Sequence, residues 1–306
     1  SSIAISGHIR PDGDCVGSTL GLYNYFKKIY PEKKISIYLE QPSMTFSYLK
    51  GFDEIITAPD DNVYDLFFAL DLGDKERLGN NAVFFETAGD TVCIDHHISN
   101  TGFARHDYIV PDASSTSELV YTVIDEDKVD EDIAKCIYTG IIHDTGIFQY
   151  SNTSERTMDI CGRLMSFGFD FPKIIDETFY ERTYVQNQIL GRSILESIIF
   201  MDGKCIASAI DRKTMDFYGA TSKDLEGIVN QLRYTKGVDC AIFMYESGPL
   251  EYKVSMRSNG VIDVSKIATT LGGGGHVRAA GFTMTGRYHD IINNISDMIE
   301  KQYAAQ

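Results

Sequence analysis

Short apolar runs alternate with longer amphipathic stretches through the first 180 residues of the chain. Four runs are typical of buried strands, namely residues 2–6, 35–39, 66–70 and 91–94. Four stretches between or after them have helical spacing, namely residues 14–30, 115–125, 132–143 and 154–167. This alternation predicts right-handed crossovers and a parallel sheet that is covered on both faces.

The pattern changes toward strands after residue 203. Strand-like runs cover residues 205–210, 240–245, 252–258 and 282–285, and helical patterns lie near 223–233, at 263–271 and from about 290. A long helical stretch, residues 181–199, separates the two patterns. We therefore predict an α/β fold in three parts: a catalytic α/β domain over residues 1–180, a connector helix over 181–199, and a smaller α+β domain with a mixed sheet over 200–306.

Acidic and histidine residues follow three of the predicted strands directly. The carboxyl ends of parallel strands meet at one edge of a sheet, where open α/β folds bind their ligands. These three clusters are GHIRPDGD with His8, Asp12 and Asp14, FFALDLGD with Asp71, and the triplet Asp95-His96-His97. A fourth cluster, IIHDTG with Asp144, follows the predicted helix over residues 132–143. Carboxylates gathered in this way repel one another unless a cation holds them together.

The donor types indicate which cation this edge would bind. Imidazoles mixed with carboxylates suit manganese, iron or zinc better than calcium or magnesium. The clusters hold more donors than one ion needs, so two ions that share a bridging aspartate are the natural arrangement. Sites of this type clamp a phosphate and generate a hydroxide for in-line attack.

A second constellation lies near the end of the chain, where four glycines precede His276. Backbone N–H groups in such a run can approach a phosphate closely, although a flexible loop is the alternative interpretation. Arg257 and Asn259 stand at the end of a predicted strand. The guanidinium suits a second phosphate contact, and a surface arginine is the alternative.

Several other residues allow two interpretations. Ser115 and Glu118 have capping-box spacing, and the same helix start could instead contact substrate. His143 is either a structural residue at a helix end or a neighbour of the metals. Arg278 is a candidate for a further phosphate contact or for altered substrate preference. His106 and His289 have no partner pattern, and we predict that both lie on the surface.

Composition limits the class of protein. The formal net charge of −16 argues against a long non-specific nucleic-acid track. No apolar run has the length of a membrane span. The six cysteines form no CxxC pair and lie in apolar context, which predicts buried free thiols and a reducing cytosol.

The motifs HxRPDxD, a lone aspartate after a strand, DHH and a C-terminal GGGH together resemble the DHH phosphoesterase superfamily with its DHH-associated C-terminal domain. Within it, the chain most resembles the stand-alone nanoRNase and pAp-phosphatase branch. The resemblance covers almost the whole chain and includes RPDGD, YPEKKI, ASSTSEL, YTGIIHDTG and GGGGHVRAAG.

This resemblance implies a role for each matching residue. One manganese ion would be held by His8 and Asp12, and the second by Asp14, His96 and Asp144, with Asp71 as the bridge. Catalytic roles fall to Asp71, to Asp95, which would orient the imidazoles, and to His97, which would face the substrate phosphate. The substrate would be bound from the second domain by Arg257, Asn259, Gly273, Gly274, Gly275 and His276.

The activity implied is that of a cytoplasmic manganese-dependent hydrolase with its active site in a cleft between the domains. Its substrates would be short oligoribonucleotides, linear dinucleotides such as pApA, and pAp (adenosine 3′,5′-bisphosphate), with no long nucleic acid and no membrane as partners. A homodimer is left open. Three alternatives remain: a cyclic di-AMP phosphodiesterase, a manganese inorganic pyrophosphatase, and a module that binds nucleotide without cleaving it. The pyrophosphatase should show a dense Ser-Arg-Lys-Lys cluster, which this chain lacks.

Overall fold

A computed structural model of the chain describes residues 2–305, and these divide after Glu181 into two compact units. Each unit is built on its own sheet. Across residues 2–305, none of the helices combines the length and apolar composition needed to cross a membrane.

The first unit contains a five-stranded sheet in the order β2-β1-β3-β4-β5, and every neighbouring pair is parallel. Its strands are β1 (Ser2–Ser6), β2 (Lys34–Tyr38), β3 (Leu66–Leu70), β4 (Asp90–Asp95) and β5 (His106–Ile109). The predicted parallel sheet is thus confirmed. β5 was not predicted, because it is a short and largely exposed edge strand without an apolar run.

The helices of the first unit flank this sheet. They are α1 (Gly13–Ile29), α2 (Ala82–Thr87), α3 (Thr116–Val123), α4 (Glu131–Asp144), α5 (Glu155–Met165) and α6 (Phe171–Ile175). Glycines allow α1, α3 and α4 to approach closely. A Cβ on Gly17 would lie 2.6 Å from the Cys136 carbonyl oxygen, and one on Gly140 would lie 2.8 Å from Asp14 Oδ1. This packing brings the start of α1 to the end of α4.

The second unit contains a six-stranded sheet in the order β10-β11-β9-β8-β7-β6. Only β7 and β8 pair in parallel, so the sheet is mixed, as predicted. Its strands are β6 (Ile198–Phe200), β7 (Cys205–Ile210), β8 (Cys240–Gly248), β9 (Glu251–Ser258), β10 (Gly274–His276) and β11 (Ala279–Thr285).

Helices cover both faces of the second sheet. They are α7 (Tyr184–Leu195), α8 (Arg212–Tyr218), α9 (Ile228–Arg233), α10 (Val264–Thr270) and α11 (Tyr288–Ala304). One apolar core joins the sheet to α10 and α11. A separate core on the opposite face joins it to α7, α8 and α9.

Two predicted helices differ from the structure. The stretch over residues 181–199 is helical only in α7, and Ile198 and Ile199 pair with β7 as part of β6. These β-branched residues favour a strand, and the pairing supplies the ladder that the helical interpretation overlooked. The helix near 223–233 is broken by Gly227, whose φ of +81° ends a short 3₁₀ turn and starts α9.

Candidate active site

Asp71 lies at the centre of the carboxylate and histidine cluster of the first unit. It follows the last residue of β3 and is buried. Its Oδ2 lies 3.5 Å from His8 Nε2, whereas its Oδ1 lies 3.7 Å from His96 Nε2. The two oxygens of one carboxylate therefore face two imidazoles that come from different strand ends.

The backbone of Asp71 is strained where it carries this carboxylate. Its φ of +63° lies in the left-handed region that residues other than glycine rarely adopt. The conformation is held by the Asp71 N–H, which donates to the Ile94 carbonyl at 3.1 Å, and by Thr116 Oγ1, which donates to Asp71 Oδ1 at 3.2 Å. Strain of this kind persists where the surroundings over-determine it, commonly at functional sites.

His8 and Asp12 lie on the loop between β1 and α1. His8 is buried, and its Nδ1 lies 2.8 Å from the carbonyl of Ile9. When Nδ1 donates to this carbonyl, the lone pair is on Nε2, which lies 3.6 Å from Asp12 Oδ1. Asp12 is also the N-cap of α1, where its Oδ1 accepts hydrogen bonds from two backbone N–H groups. Asp12 thus caps the helix and also lies beside the imidazole of His8.

Asp14 is held by the start of α3. The N–H groups of Thr116 and Ser117 donate to its Oδ2 and Oδ1, at 2.7 and 2.9 Å respectively. The positive end of a helix dipole stabilises a carboxylate in this position. The start of α3 is fully buried, so the substrate contact that we considered for it is wrong. Its role is to position Asp14 and Asp71.

His96 and Asp144 complete this side of the cluster. The Nδ1 of His96 lies 3.3 Å from the carbonyl of Ala113, and its Nε2 points toward three carboxylates. Its nearest carboxylate neighbour is Asp144 Oδ2 at 3.2 Å, and Asp14 Oδ2 lies at 4.0 Å. Asp144 is the last residue of α4, so a helix end and not a strand end delivers it.

Asp95 and His97 form a hydrogen-bonded pair beside the cluster. Asp95 is fully buried, its Oδ1 lies 2.7 Å from His97 Nδ1, and its Oδ2 accepts from Asn100 at 2.8 Å. Burial works against ionisation, but these two hydrogen bonds outweigh it and lower the pKa of Asp95. The Asp95 carboxylate therefore fixes the orientation of the half-buried His97 ring.

The electrostatics of the cluster fit a bound cation. Burial raises the pKa of Asp14 well above its ordinary value, and the charges of Asp71 and Asp144 raise it further. Burial also raises the pKa of Asp144 to about 6. Burial opposes protonation of His8, yet hydrogen bonds to Asp12 and Asp71 raise its pKa to about 10. These pKa shifts show that the buried carboxylates disfavour one another's negative charge, so positive charge at the cluster is favourable.

The donors fall into overlapping groups whose atoms lie within 4.8 Å of one another. One contains Asp14, His96 and Asp144, a second contains Asp71, His96 and His97, and a third contains His8, Cys15 and Asp71. Asp71 links the first group to His8, because its Oδ1 lies near His96 and its Oδ2 lies near His8. This set of imidazoles and carboxylates could hold a metal ion.

Asn152 supports the cluster from behind and was not predicted. Its Nδ2 donates to the carbonyls of Ser114 at 2.8 Å and Asp144 at 3.2 Å. It thereby joins the loop before α3 to the end of α4. Glu118 anchors the same loop, since its buried carboxylate accepts from Ser114 Oγ and Thr157 Oγ1 and not from the N-cap backbone. The predicted capping box is therefore only half formed, with the Ser115 side chain accepting from the Glu118 N–H.

His143 is packed beneath the metal-ligand loop. A Cβ placed on Gly13 would lie 2.2 Å from His143 Cγ, so the ring occupies the space that a side chain at position 13 would need. The rings of Phe46 and Phe179 lie beside it, with centroids at 5.1 and 4.5 Å. Burial lowers the pKa of His143 to about 4. These contacts describe a neutral packing residue, in agreement with the structural interpretation.

Apart from His97, which lies in the first unit, the candidate substrate residues lie in the second unit. Gly274, Gly275 and His276 form β10 and Gly273 precedes it, so the run ends in a paired strand and not in a flexible loop. A Cβ on Gly273 would lie 2.2 Å from the Gly281 carbonyl, and one on Gly275 would lie 2.4 Å from the Ala279 carbonyl. Close strand contact thus explains part of the glycine requirement. His276 is exposed.

Arg257 and Asn259 differ in how their side chains are used. Arg257 is half-buried at the end of β9 and donates from Nε to Asn230 Oδ1 at 3.1 Å. The Asn259 amide donates to the Val238 carbonyl at 2.6 Å, which ties down the start of β8. Asn259 thus has a structural role, and its contact with substrate stays a prediction.

The remaining predictions concern surface residues and thiols. All six cysteines are buried and free. His106 is exposed, as predicted, and its Nε2 lies 3.0 Å from Asp90 Oδ2. His289 is exposed beside the ring of Tyr288. Arg278 is also exposed, and its guanidinium lies near Gly260.

Comparisons with known proteins agree with this arrangement. Residues 2–141 match the DHH family, N-terminal domain, and residues 202–304 match the DHHA1 domain. The chain is 27% identical to the bifunctional oligoribonuclease and PAP phosphatase NrnA of Bacillus subtilis, over 92% of this chain and 88% of the relative. It is 30% identical to the protein of the same name from Thermus thermophilus, over 93% and 84%. An exopolyphosphatase-related protein from Bacteroides fragilis has a similar structure, with a TM-score of 0.84, 25% identity and coverage of 98% and 92%.

Proposed function

The chain belongs to the DHH family and is a phosphoester hydrolase. We propose that it depends on manganese and that its substrates are short oligoribonucleotides, linear dinucleotides such as pApA, and pAp. The relatives that share most of its length are named for oligoribonuclease and PAP phosphatase activities. The proposal extends those activities to this chain and adds the metal and its ligands.

The observation that carries the proposal is the position of Asp71 between His8 and His96. We propose that two ions bind on either side of this carboxylate. One would be held by His8, Asp12 and Asp71, and the other by Asp14, Asp71, His96 and Asp144. Bound there, such ions supply an activated water and neutralise charge that develops on the phosphate.

The other residues of the first unit orient these ligands and the substrate. Asp95 holds His97 by Nδ1, which leaves the opposite ring nitrogen to face a substrate phosphate. Thr116 and Ser117 hold Asp14 and Asp71 before any ligand arrives, so little reorganisation accompanies the reaction. We infer that His97 binds the scissile phosphate and positions it for attack.

We propose that the second unit binds the rest of the substrate. Arg257 would hold a phosphate, the backbone of the run Gly273–Gly275 would approach it, and His276 would add a further contact. Arg257 lies on β9, and Gly274, Gly275 and His276 form β10 of the same sheet. The net charge of −16 would repel a long polyanion, so short substrates are favoured. The six free, buried thiols favour a cytoplasmic location, and a homodimer remains a prediction.

The test is the product ladder from an end-labelled five-nucleotide RNA with manganese, with pAp, cyclic di-AMP and pyrophosphate run in parallel. We expect the RNA to be shortened to mononucleotides and pAp to lose a phosphate. Cleavage of cyclic di-AMP with an intact RNA would favour the cyclic dinucleotide alternative. Turnover of pyrophosphate alone would favour the pyrophosphatase, and nucleotide binding with no turnover would favour a non-catalytic module.

A further inference from the structure

Two arginines of the second unit lie together without an acidic partner. Arg257 is the next-to-last residue of β9, and Arg233 is the last residue of α9. The Oδ1 of Asn230 accepts from Arg257 Nε at 3.1 Å. Asn230 lies three residues before Arg233 on the same face of α9. We call Arg233 and Arg257 the arginine pair.

The hydrogen-bonding capacity of the arginine pair is largely unused. Arg257 donates to Asn230 and to the carbonyl of Met256, which are both neutral acceptors. The Nε of Arg233 is buried and has no hydrogen-bond partner within residues 2–305. No carboxylate in that part of the chain lies within ion-pair distance of either guanidinium, although the protein has 44 acidic and 28 basic residues.

Such an arrangement is unfavourable in the absence of a ligand. Burial lowers the pKa of Arg257, and the nearby charge of Arg233 lowers it further. Arg233 gains only a weak compensation from the Tyr234 ring, whose centroid lies 5.0 Å from the guanidinium carbon. A dianionic oxyanion would neutralise both charges and accept the unused N–H groups, because guanidinium geometry matches phosphate.

The surroundings of Arg257 offer room for the remainder of such a ligand. An open pocket of about 460 Å³ lies on the α9 face of the sheet, and Arg257 contributes to its lining. Lys223 and Lys253 add two positive charges to its lining and Glu226 adds one negative charge. Phe243 and Tyr245 add aromatic surface. A phosphate on the arginine pair could therefore carry a nucleoside.

The pairing of β9, β11 and β10 shows which face of the sheet carries His276, next to the glycine run. Arg257 is paired with Ala279, and Ala279 is paired with His276. Residues directly opposite each other on neighbouring antiparallel strands point to the same face. His276 thus stands on the face of the arginine pair, two strand spacings or roughly 10 Å away.

We propose that Arg233 acts with Arg257 as a binding site for a terminal phosphate monoester, and that this site sets the preference of the enzyme for phosphorylated ends. The identity of the biological ligand rests on the proposed function. Binding of a phosphate to the arginine pair can be measured without any hydrolysis. A phosphate monoester carries a charge of about −1.5 to −2 at pH 7, which suits two guanidiniums. It is therefore favoured over an internal phosphodiester, which carries less negative charge.

The test compares pApA with its 5′-hydroxyl counterpart ApA in the full-length chain. The variants are Arg233→Gln, Arg233→Lys and, as a matched control, Lys236→Gln, which removes one positive charge from an exposed residue just beyond α9. Binding is measured by calorimetry in EDTA, with inorganic phosphate as a competitor. Steady-state kinetics with manganese follow, and thermal melts show whether each variant folds.

We expect the unmodified chain and Lys236→Gln to bind pApA at least about tenfold more tightly than ApA, and Arg233→Gln to reduce that ratio to about twofold. In Arg233→Gln, KM for pApA should rise by about tenfold while kcat stays nearly unchanged. The KM of Arg233→Lys should lie between those of the unmodified chain and Arg233→Gln. Competition by inorganic phosphate in the unmodified chain alone would show that a free phosphate also binds the site.

An undiminished preference for pApA in folded Arg233→Gln would overturn the proposal, and so would an equal loss in Lys236→Gln. If Arg233→Gln does not fold, Arg233→Lys provides the test. Full retention of the preference for pApA over ApA in Arg233→Lys would show that the guanidinium of Arg233 is not used. Arg233→Gln could lose the preference for pApA in EDTA while the unmodified chain hydrolyses none of the substrates. That result would support the phosphate site and refute the proposed function.

Discussion

The backbone N–H of Thr116 donates to Asp14 Oδ2 at 2.7 Å, although the two residues lie 102 positions apart in the chain. The first turn of α3 thereby holds a buried carboxylate of the candidate metal centre. The loop before α3 is tied in turn to Asp144 through Asn152. The ligands are therefore positioned by contacts between elements, and disturbance of those contacts should weaken metal binding without removing a ligand.

Asn152→Ala provides the direct test of this support. We expect manganese affinity to fall by roughly 10–100-fold, because two carbonyl groups lose the amide that joins them. Asn152→Asp should be worse still, because its carboxylate would face the same carbonyls and repel them. Calorimetric titration of the ion-free chain measures the effect, with the exposed Asn187→Ala as control. Unchanged affinity in Asn152→Ala would show that α3 and α4 hold their ligands independently.

Asp71→Ala should remove the bridge between the two proposed ions. We expect most bound manganese to be lost and turnover to fall by on the order of a thousandfold, or about 4 kcal/mol of transition-state stabilisation. The fold should survive, which circular dichroism can show. Metal content is measured by mass spectrometry beside Asp61→Asn, which alters an exposed aspartate. Metal content like that of the unmodified chain would contradict the bridging role.

Much of the candidate site could be predicted from local sequence. His8, Asp71 and Asp95 were recognised because each follows an apolar run that forms a strand. Asp144 was singled out with the same clusters, although it ends a helix and follows no strand. The support from Asn152 could not be predicted, because its partners lie 38 and 8 residues away in the chain and involve backbone carbonyls.

The second unit shows the same limit for the fold. Its mixed sheet was predicted from strand runs, yet β6 was taken as the end of a helix, because three residues are too few for a periodic pattern. The ASSTSEL segment was singled out correctly as a helix start. Its function became visible only when the structure placed Asp14 and Asp71 against it.

Gly13→Ala should be destabilising because of His143. The new methyl group would lie 2.2 Å from His143 Cγ, and relief of this overlap should cost about 1–3 kcal/mol in the free energy of unfolding. In a His143→Ala background, the same change should cost much less. Urea unfolding measures both. Gly162→Ala in α5 is the control, since its Cβ meets nothing within 4 Å and should be neutral or stabilising. Equal costs in the two backgrounds would refute the steric explanation.

His276→Ala and Arg257→Ala should separate substrate binding from metal binding. We expect each to weaken cleavage of short RNA by roughly tenfold or more, because each removes a proposed contact to phosphate. Manganese content should stay at the level of the unmodified chain and of His289→Ala, which alters an exposed histidine on α11. Loss of a manganese ion in either variant would show that the second unit supplies a metal ligand.

Substrate length should decide catalytic efficiency. If the arginine pair or the glycine run holds one end of the substrate, binding energy gained there can position the scissile bond. A longer strand must pass a protein surface whose net charge is −16, where its phosphates are repelled. We expect kcat/KM to fall by roughly tenfold or more between a trinucleotide and a long single strand, which corresponds to about 1.4 kcal/mol. The comparison is made at moderate salt, because high salt screens the repulsion and narrows the difference. Equal efficiency on both strands would refute the preference for short substrates and indicate a processive exonuclease.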